Sequence, residues 1–508
     1  MDIAEKRFVN WNIGKNWYKP TVQNNSNEHY DYVIITTSNF SSSNALLDFK
    51  DWLENFRGFK VKIIDENTYG LGVGQQRAIN IRNWLKNHYL SWGIKYVLFI
   101  GDPDPQDIND TKDYYGDMPM MLCYHEYKIA SDLFFADLTG DWDSNHNNFY
   151  GEEDDDIDFA ADIYVGRIPI FSTEDPTFRF MVLYNILNRI MEKYYDWLIG
   201  INDTKVMIPT AIITYENYNH TDRVRTDGRD FPKHIIEDIL SSWNHCVMYE
   251  RGGLSPVPTS APYFSLPLNK TNVLNEWKKN YLIVAWFAHG SPQRAWRFIW
   301  FNDTDNDGIP EEGEMKWKHF IYSQDLIDLN IYSYSLVFQG SCLNGDPTDP
   351  NNLASTLLKT GAIATIAATA VSQGTPGVWH PSSSGTLQNY GYNILMKMVK
   401  DHYSISEALY YSTSVLQDVD TTRLTLTVWG EPSFHLPIIV PDNYQLIQEA
   451  INNANRGEAI LIRPGTYYEN LVIDKPLTLV GLSNNLSLIH ISEPTRPRLI
   501  SYAVFCLK

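Results

Sequence analysis

From about residue 30 onward, strand-like apolar runs alternate with helix-like amphipathic stretches, and this alternation limits the fold more than any other feature of the sequence. "YDYVIITT" reads as a strand, "NALLDFKDWLENFRG" as a helix closing on Gly58, and "FKVKII" as a strand again. "RAINIRNWLKNHYLSWG" and "KYVLFIGD" repeat the cycle. A long helix follows within 173–198, then strands "KVMIPTAIIT" (205–214) and "CVMY" (246–249), with a helix near 231–243 between them. "YLIVAWF" (281–287), "SLVFQ" (335–339), "AIATIAATA" and "LTLTVW" supply further strands, the last closing the unit near residue 437. Continuous apolar strands alternating with helices need cover on both faces, which means a mostly parallel sheet between helical layers. The expected fold is therefore α/β, in two halves, 30–200 and 201–437, preceded by an extension over 1–29.

A different texture begins at residue 438. "IIVPDNYQLIQEAINNANRGEAILIRPGTYYENLVIDKPLTLVG" holds one short helix and several very short strands broken by Gly and Pro. It resembles the capping helix and first coils of a right-handed parallel β-helix, which needs several stacked coils to bury its interior. Residues 438–485 are thus expected to be a truncated β-helix start. The tail 486–508, with "LSLIHISEPTR" and "ISYAVFCLK", resembles the in-frame translation of a sequencing-library adapter and is set aside from fold reasoning. Without it the cysteines are 123, 246 and 342, an odd number, so at least one thiol is unpaired.

Charge narrows the partners. With 41 basic and 61 acidic residues the net charge is −20, which argues against nucleic acid or an anionic membrane surface. No window has the roughly 18–20 apolar residues of a membrane span, and "MDIAEKRFVNWNIGKN" has no apolar core of a signal peptide.

In open α/β sheets functional groups collect at the carboxyl ends of strands. "YLIVAWF" exits into "AHGS" and "SLVFQ" into "GSC", so His289 and Cys342 each stand just past a strand end, 53 positions apart. If the two strands are neighbours, a thiol and an imidazole share one rim, the parts of a cysteine nucleophile with a partner base. Small residues beside both would let a substrate backbone come close. The backbone N–H groups of Gly290 and Cys342 are the oxyanion-donor candidates.

These segments resemble the gingipain-type cysteine peptidases, relatives of the caspases in fold. "AHGSPQRAW" and "GSCLNGD" match that family's histidine and cysteine segments, and "YVGRIPI" (164–170) and "TVWGEPS" (427–433) match two further landmarks, in order, over roughly 30–437. The resemblance implies a cysteine endopeptidase with Cys342 as nucleophile, His289 as general acid/base and Glu216, in "IITYEN", beside the histidine. An acid in "RTDGRDFPKH" (225–234), Asp230 or Asp227, stands where arginine-specific members keep a pocket floor, although an Asp before a helix is also the expected cap. Trp296 joins the substrate-binding candidates. The sequence departs from the family by an insertion between His289 and Cys342.

That insertion carries "DTDNDGIPEEGE" (303–314), which fits the twelve-residue calcium loop D-x-D-x-D-G-x₅-E. Asp303, Asp305 and Asp307 would supply side-chain oxygens, Ile309 its carbonyl and Glu314 a bidentate carboxylate. "DWDSNHNNFYGE" (141–152) repeats the layout with Asp141, Asp143, Asn145, Asn147 and Glu152, but with His146 where the turn prefers Gly. Structural Ca²⁺ is the expected cofactor. The expected protein is an extracellular, calcium-stabilised peptidase acting on protein or peptide substrates, with surface or glycan attachment through the β-helix. Two other readings remain. One is a non-catalytic adhesion or carbohydrate-binding protein with a peptidase-like scaffold, the other a sortase-like transpeptidase. Thiol-probe labelling and product analysis with an added amine separate them.

Overall fold

The structure is a computed structural model. It describes residues 28–482 except 106–115, 126, 173–174, 200–203, 211, 214–225, 251–261, 308–310, 330–332, 376–378, 383–384 and 417–420. Residues 1–27, Glu216, Ile309 and the adapter-like tail lie outside the described residues.

The strands, in chain order, begin with β1 (Tyr32–Ile35), β2 (Val61–Ile64) and β3 (Tyr96–Gly101), then the hairpin β4 (Met121–Tyr124) and β5 (Lys128–Ser131), then β6 (Tyr164–Pro169). Next come β7 (Lys205–Pro209), the short pair β8 (Ile212–Ile213) and β9 (Thr226–Asp227), β10 (Asn244–Tyr249), β11 (Phe264–Pro267) and β12 (Ile283–Phe287). After these lie β13 (His289–Ser291), β14 (Arg294–Trp300), β15 (Met315–Tyr322), β16 (Ser335–Gly340), β17 (Ala362–Ala368) and β18 (Leu426–Gly430). The last three are β19 (Ile438–Val440), β20 (Ala459–Ile462) and β21 (Thr478–Gly481).

Eleven strands make one sheet, in the order β11-β10-β7-β12-β16-β17-β18-β6-β3-β1-β2. The two halves expected from the sequence share it. The extended pairings in it are parallel except that of β17 with β18, which is antiparallel, and β18 meets β6 through the single bridge Trp429↔Arg167. β18, from the end of the second half, pairs with β6 and belongs in space to the first half. Its strand starts at Leu426, because Thr422–Thr425 form a helical turn in which the Thr425 hydroxyl donates to the Thr422 carbonyl. Strands β1, β3, β16 and β17 are buried throughout, which accounts for their unbroken apolar character. Helices Asn44–Asn55 and Pro176–Ile199 lie against one face of the first half, and Leu387–Lys400 and Ile405–Val415 extend the same core cluster.

Two sequence landmarks turn out to be buried ion pairs. Arg167 of β6, fully buried, donates from Nε and Nη2 to the two carboxylate oxygens of Asp132 at 3.0 and 2.5 Å, and its guanidinium lies over the Phe99 ring. Glu431, next to Gly430, accepts from Tyr32 Oη and Ser433 N at 2.9 Å and faces Arg57. Removing one member of such a pair leaves a buried charge uncompensated. Arg167→Met should therefore lower the unfolding free energy by about 3–5 kcal/mol, measured by urea denaturation; an unchanged midpoint would mean that Asp132 finds another partner.

Strands β19, β20 and β21 form a separate three-stranded parallel sheet, in register Ile438↔Ile460 and Ile460↔Leu479. It is docked, not free. Arg57 Nε donates to the Gly457 carbonyl at 3.0 Å, Arg456 Nε to the Gly58 carbonyl at 2.8 Å, and Ile439, Ala459 and Leu461 belong to the core cluster of the main sheet. Among the described residues, no helix is long and apolar enough to cross a membrane.

Candidate active site

In the second half the chain lays β10 and β11 to one side of β7 and β12, β16 and β17 to the other. The crevice where strand order reverses, at the carboxyl ends of β7 and β12, is the favoured ligand position in such sheets. β12 and β16 are neighbours, with Phe287 opposite Gly340, and Ala288 N donates to the Gly340 carbonyl at 2.9 Å. His289 and Cys342 therefore emerge side by side.

Their backbones touch. A Cβ placed on Gly290 would lie 2.1 Å from the Cys342 carbonyl oxygen and 2.7 Å from its nitrogen, so only glycine permits this approach. A residue to which sequence analysis assigned no role holds the contact in place. Asn344 donates from Nδ2 to the carbonyls of Ser291 (2.7 Å) and Arg294 (3.0 Å), clamping the β13–β14 hairpin onto the cysteine turn. Its Oδ1 accepts from Ser341 Oγ, which in turn accepts from Trp286 Nε1 at 2.9 Å. Leu343 adopts a left-handed backbone (φ 61°), which swings the chain after Cys342 back toward β17, where Leu343 N reaches the Ala370 carbonyl at 3.1 Å.

The Cys342 thiol is half-buried and donates to the Ser372 carbonyl at 3.2 Å, while Ser372 N donates to the sulfur at 3.5 Å. Cys123 and Cys246 are buried, and burial pushes the Cys246 thiol up to about 11. Of the three described thiols, Cys342 is the accessible one. His289 packs edge-on against Trp317, ring centroids 5.0 Å apart, and burial pushes its imidazole down to about 4. Near neutral pH the ring is thus an uncharged proton acceptor. Desolvation disfavours the charged imidazolium, which suits the partner base that the sequence pattern implies.

The other candidates are spread around this rim. Trp296 pairs with His289 across β13 and β14. Asp230 is the first residue of helix Asp230–His234, whose cap position is Arg229; its Oδ2 accepts from Trp379 N at 3.3 Å, tying it to the chain segment that follows Ser372. Asp227 pairs with Ile212 through β9 and β8. Glu216 lies outside the described residues.

In the first acidic loop, carboxylate oxygens of Asp303, Asp305 and Asp307 lie within 4.8 Å of one another, and Asn306 is left-handed (φ 63°). Three hard oxygen donors this close fit a Ca²⁺ ion, which would offset their mutual repulsion. Glu314 closes the loop through protein contacts. It accepts from Thr304 N and Oγ1 and from Trp300 Nε1, and the Thr304 amide holds its carboxyl below the usual range. In the second loop Asp143 accepts from the backbone of Asn147 and Asn148, the Asn145 and Asn147 amides donate to Glu152, and Asp141 Oδ1 accepts from Asp143 N. Asp155, which sequence analysis passed over, ties that loop together by accepting from Ser144, Gly151 and Glu152 amides. Its signal was only the general acidity of "EEDDDID".

A parallel-rich α/β sheet with a thiol and an imidazole on one rim defines a class of cysteine-type hydrolase. The chain belongs to peptidase family C25, whose sequence profile matches residues 25–437. It is a cysteine-type peptidase, and its substrates are proteins or peptides. The fold is similar to that of the Arg-specific cysteine proteinase gingipain R (RgpB), at 16% identity over 83% of this chain and 82% of that one, TM-score 0.52. It is similar to the same extent to the complex of Porphyromonas gingivalis RgpB pro- and mature domains, at 17% identity over 80% and 81%, TM-score 0.52. No curated protein matches the chain.

Proposed function

We propose that the protein is an extracellular cysteine endopeptidase that hydrolyses peptide bonds with a Cys342–His289 dyad and is stabilised by Ca²⁺ in the 303–314 loop. The observation that supports this reading is the backbone contact between Gly290 and Cys342, where the histidine strand end meets the cysteine turn. His289, neutral near pH 7, takes the thiol proton as sulfur attacks the scissile carbonyl, then returns it to the leaving amine. The Gly290 and Cys342 amides are the proposed oxyanion donors. Asp227, Asp230 and Trp296 are the proposed specificity contacts, and Glu216 the partner of His289. Residues 438–481 serve as the first turns of a parallel β-helix for attachment to a surface or glycan. Their three in-register strands support that role.

The metal would be held by Asp303, Asp305 and Asp307, with the Ile309 carbonyl completing the shell and Glu314, engaged by Thr304 and Trp300, bracing the closing end of the loop. Asp141, Asp143, Asn145, Asn147 and Glu152 would form a second site, and calcium loops of this kind suit extracellular concentrations. The test is a positional-scanning peptide library assayed with Ca²⁺ or with EDTA, before and after alkylation by iodoacetamide. Hydrolysis that alkylation abolishes is expected. With Ca²⁺ about 100-fold above its Kd, chelation should remove about 2–3 kcal/mol of stability, seen as a lower Tm. Activity insensitive to alkylation would overturn the dyad, and an EDTA-indifferent Tm would overturn the metal.

A further inference from the structure

We propose that Trp317, with Trp296 and Phe298, forms a subsite for a bulky apolar side chain of the peptide substrate beside the scissile bond, a reading that rests on the peptidase function proposed above. The three-stranded antiparallel sheet β13-β14-β15 has two unlike faces. Along β14, Ala295, Arg297 and Ile299 are buried, and Ala295, Phe320 and Ile321 join the second half's core. The alternate residues Arg294, Trp296 and Phe298 point outward. The open face of such a sheet is ordinarily polar, yet here it carries large aromatic rings.

Trp317, from the insertion, centres that face. Its ring lies 4.6 Å from Phe298, 5.2 Å from Trp296 and 5.0 Å from His289, and it remains 49% exposed. A scattered surface tryptophan would carry no message, but this one belongs to a cluster that begins on the proposed catalytic imidazole. A substrate whose scissile bond reaches Cys342 must pass it. The chemistry of the occupant follows from what is already there. The guanidinium of Arg294 sits over Trp296, 5.6 Å from its centroid, and 4.5 Å from that of Tyr322, so a basic substrate side chain would meet a cation already in place. An apolar or aromatic side chain would gain the stacking surface without that repulsion.

The experiment compares wild type, Trp317→Ala, Trp317→Phe, Phe298→Ala and Lys316→Ala on the same peptide library. The readout is the ratio of kcat/KM for Phe- over Ala-containing members at each position flanking the cleaved bond. Wild type should favour Phe at one position about tenfold, as expected for one apolar pocket contact. Trp317→Ala and Phe298→Ala should collapse that ratio toward unity, Trp317→Phe should keep most of it, and Lys316→Ala, on the opposite face, should leave it unchanged. The same ratio is read as binding, by fluorescence anisotropy of labelled Phe- and Ala-containing peptides on full-length Cys342→Ala and on the Cys342→Ala/Trp317→Ala double variant. If wild type cleaves nothing, the dyad reading fails, while the binding arm still decides the subsite. A wild type with no bulky-apolar preference, or a ratio that Trp317→Ala preserves or Lys316→Ala alters equally, overturns the subsite.

Discussion

Cys342→Ala is expected to lower kcat for peptide hydrolysis by at least about 10⁴-fold while shifting the unfolding free energy by about 1 kcal/mol or less. The thiol is small, half-buried and set against the Ser372 backbone, so its loss opens no large cavity. His289→Gln should cost a similar factor, and the double variant little more than either single one, because the two groups act as a unit. The pH profile carries a second signature. With the imidazole held at about 4 by burial, the base stays unprotonated well below the range of a free histidine, and the acid limb of kcat/KM should fall nearer pH 4 than 6.5. The same shift governs stability. Unfolded chain binds this proton first as pH drops, so stability is lost between roughly pH 6.5 and 4, a slope that His289→Gln should remove. A Cys342→Ala enzyme with undiminished turnover would end the dyad assignment.

The second large effect concerns a residue with no side chain. Gly290→Ala would drive a methyl group into the Cys342 backbone, and neither side can yield easily. Asn344 pins both, and β13 is held by β14. The hairpin must move outward by about 1 Å or more, a displacement that costs about 10²-fold when it separates reacting groups. Overpacking should add a stability loss of about 1–3 kcal/mol. Steady-state kinetics and urea denaturation check both figures, and wild-type kcat/KM would contradict the rigid contact.

How far the sequence foretold this arrangement differs from part to part. Strand–helix alternation revealed the parallel halves because buried parallel strands are apolar throughout, and His289 and Cys342 could be placed together because each follows such a strand. The antiparallel pairing of β17 with β18 was not visible. Pairing partners in a sheet are chosen by contacts distant in sequence, and nothing in "LTLTVW" says that it will lie beside β6. Nor does propensity reveal that its first two residues, Leu424 and Thr425, are helical; the Thr425 hydroxyl bonds to Thr422 and Ser372 decide that. The landmarks around Arg167 and Glu431 stood out as motifs, but their buried partners, Asp132 and Arg57, lie 35 and 374 positions away. Asn344 was hidden for a different reason: an amide in a small-residue turn looks like turn chemistry until the carbonyls it grips are known.

The hairpin that follows β3 has a further consequence. Tyr127 Oη donates to the Val371 carbonyl at 2.8 Å and Thr369 Oγ1 donates to the Ala130 carbonyl at 2.6 Å, so a loop of the first half borders Ser372, the residue that the Cys342 thiol touches. Changes of length or charge in that hairpin reach the cysteine rim through one backbone neighbour, so the first half is coupled to the chemistry that the second half carries.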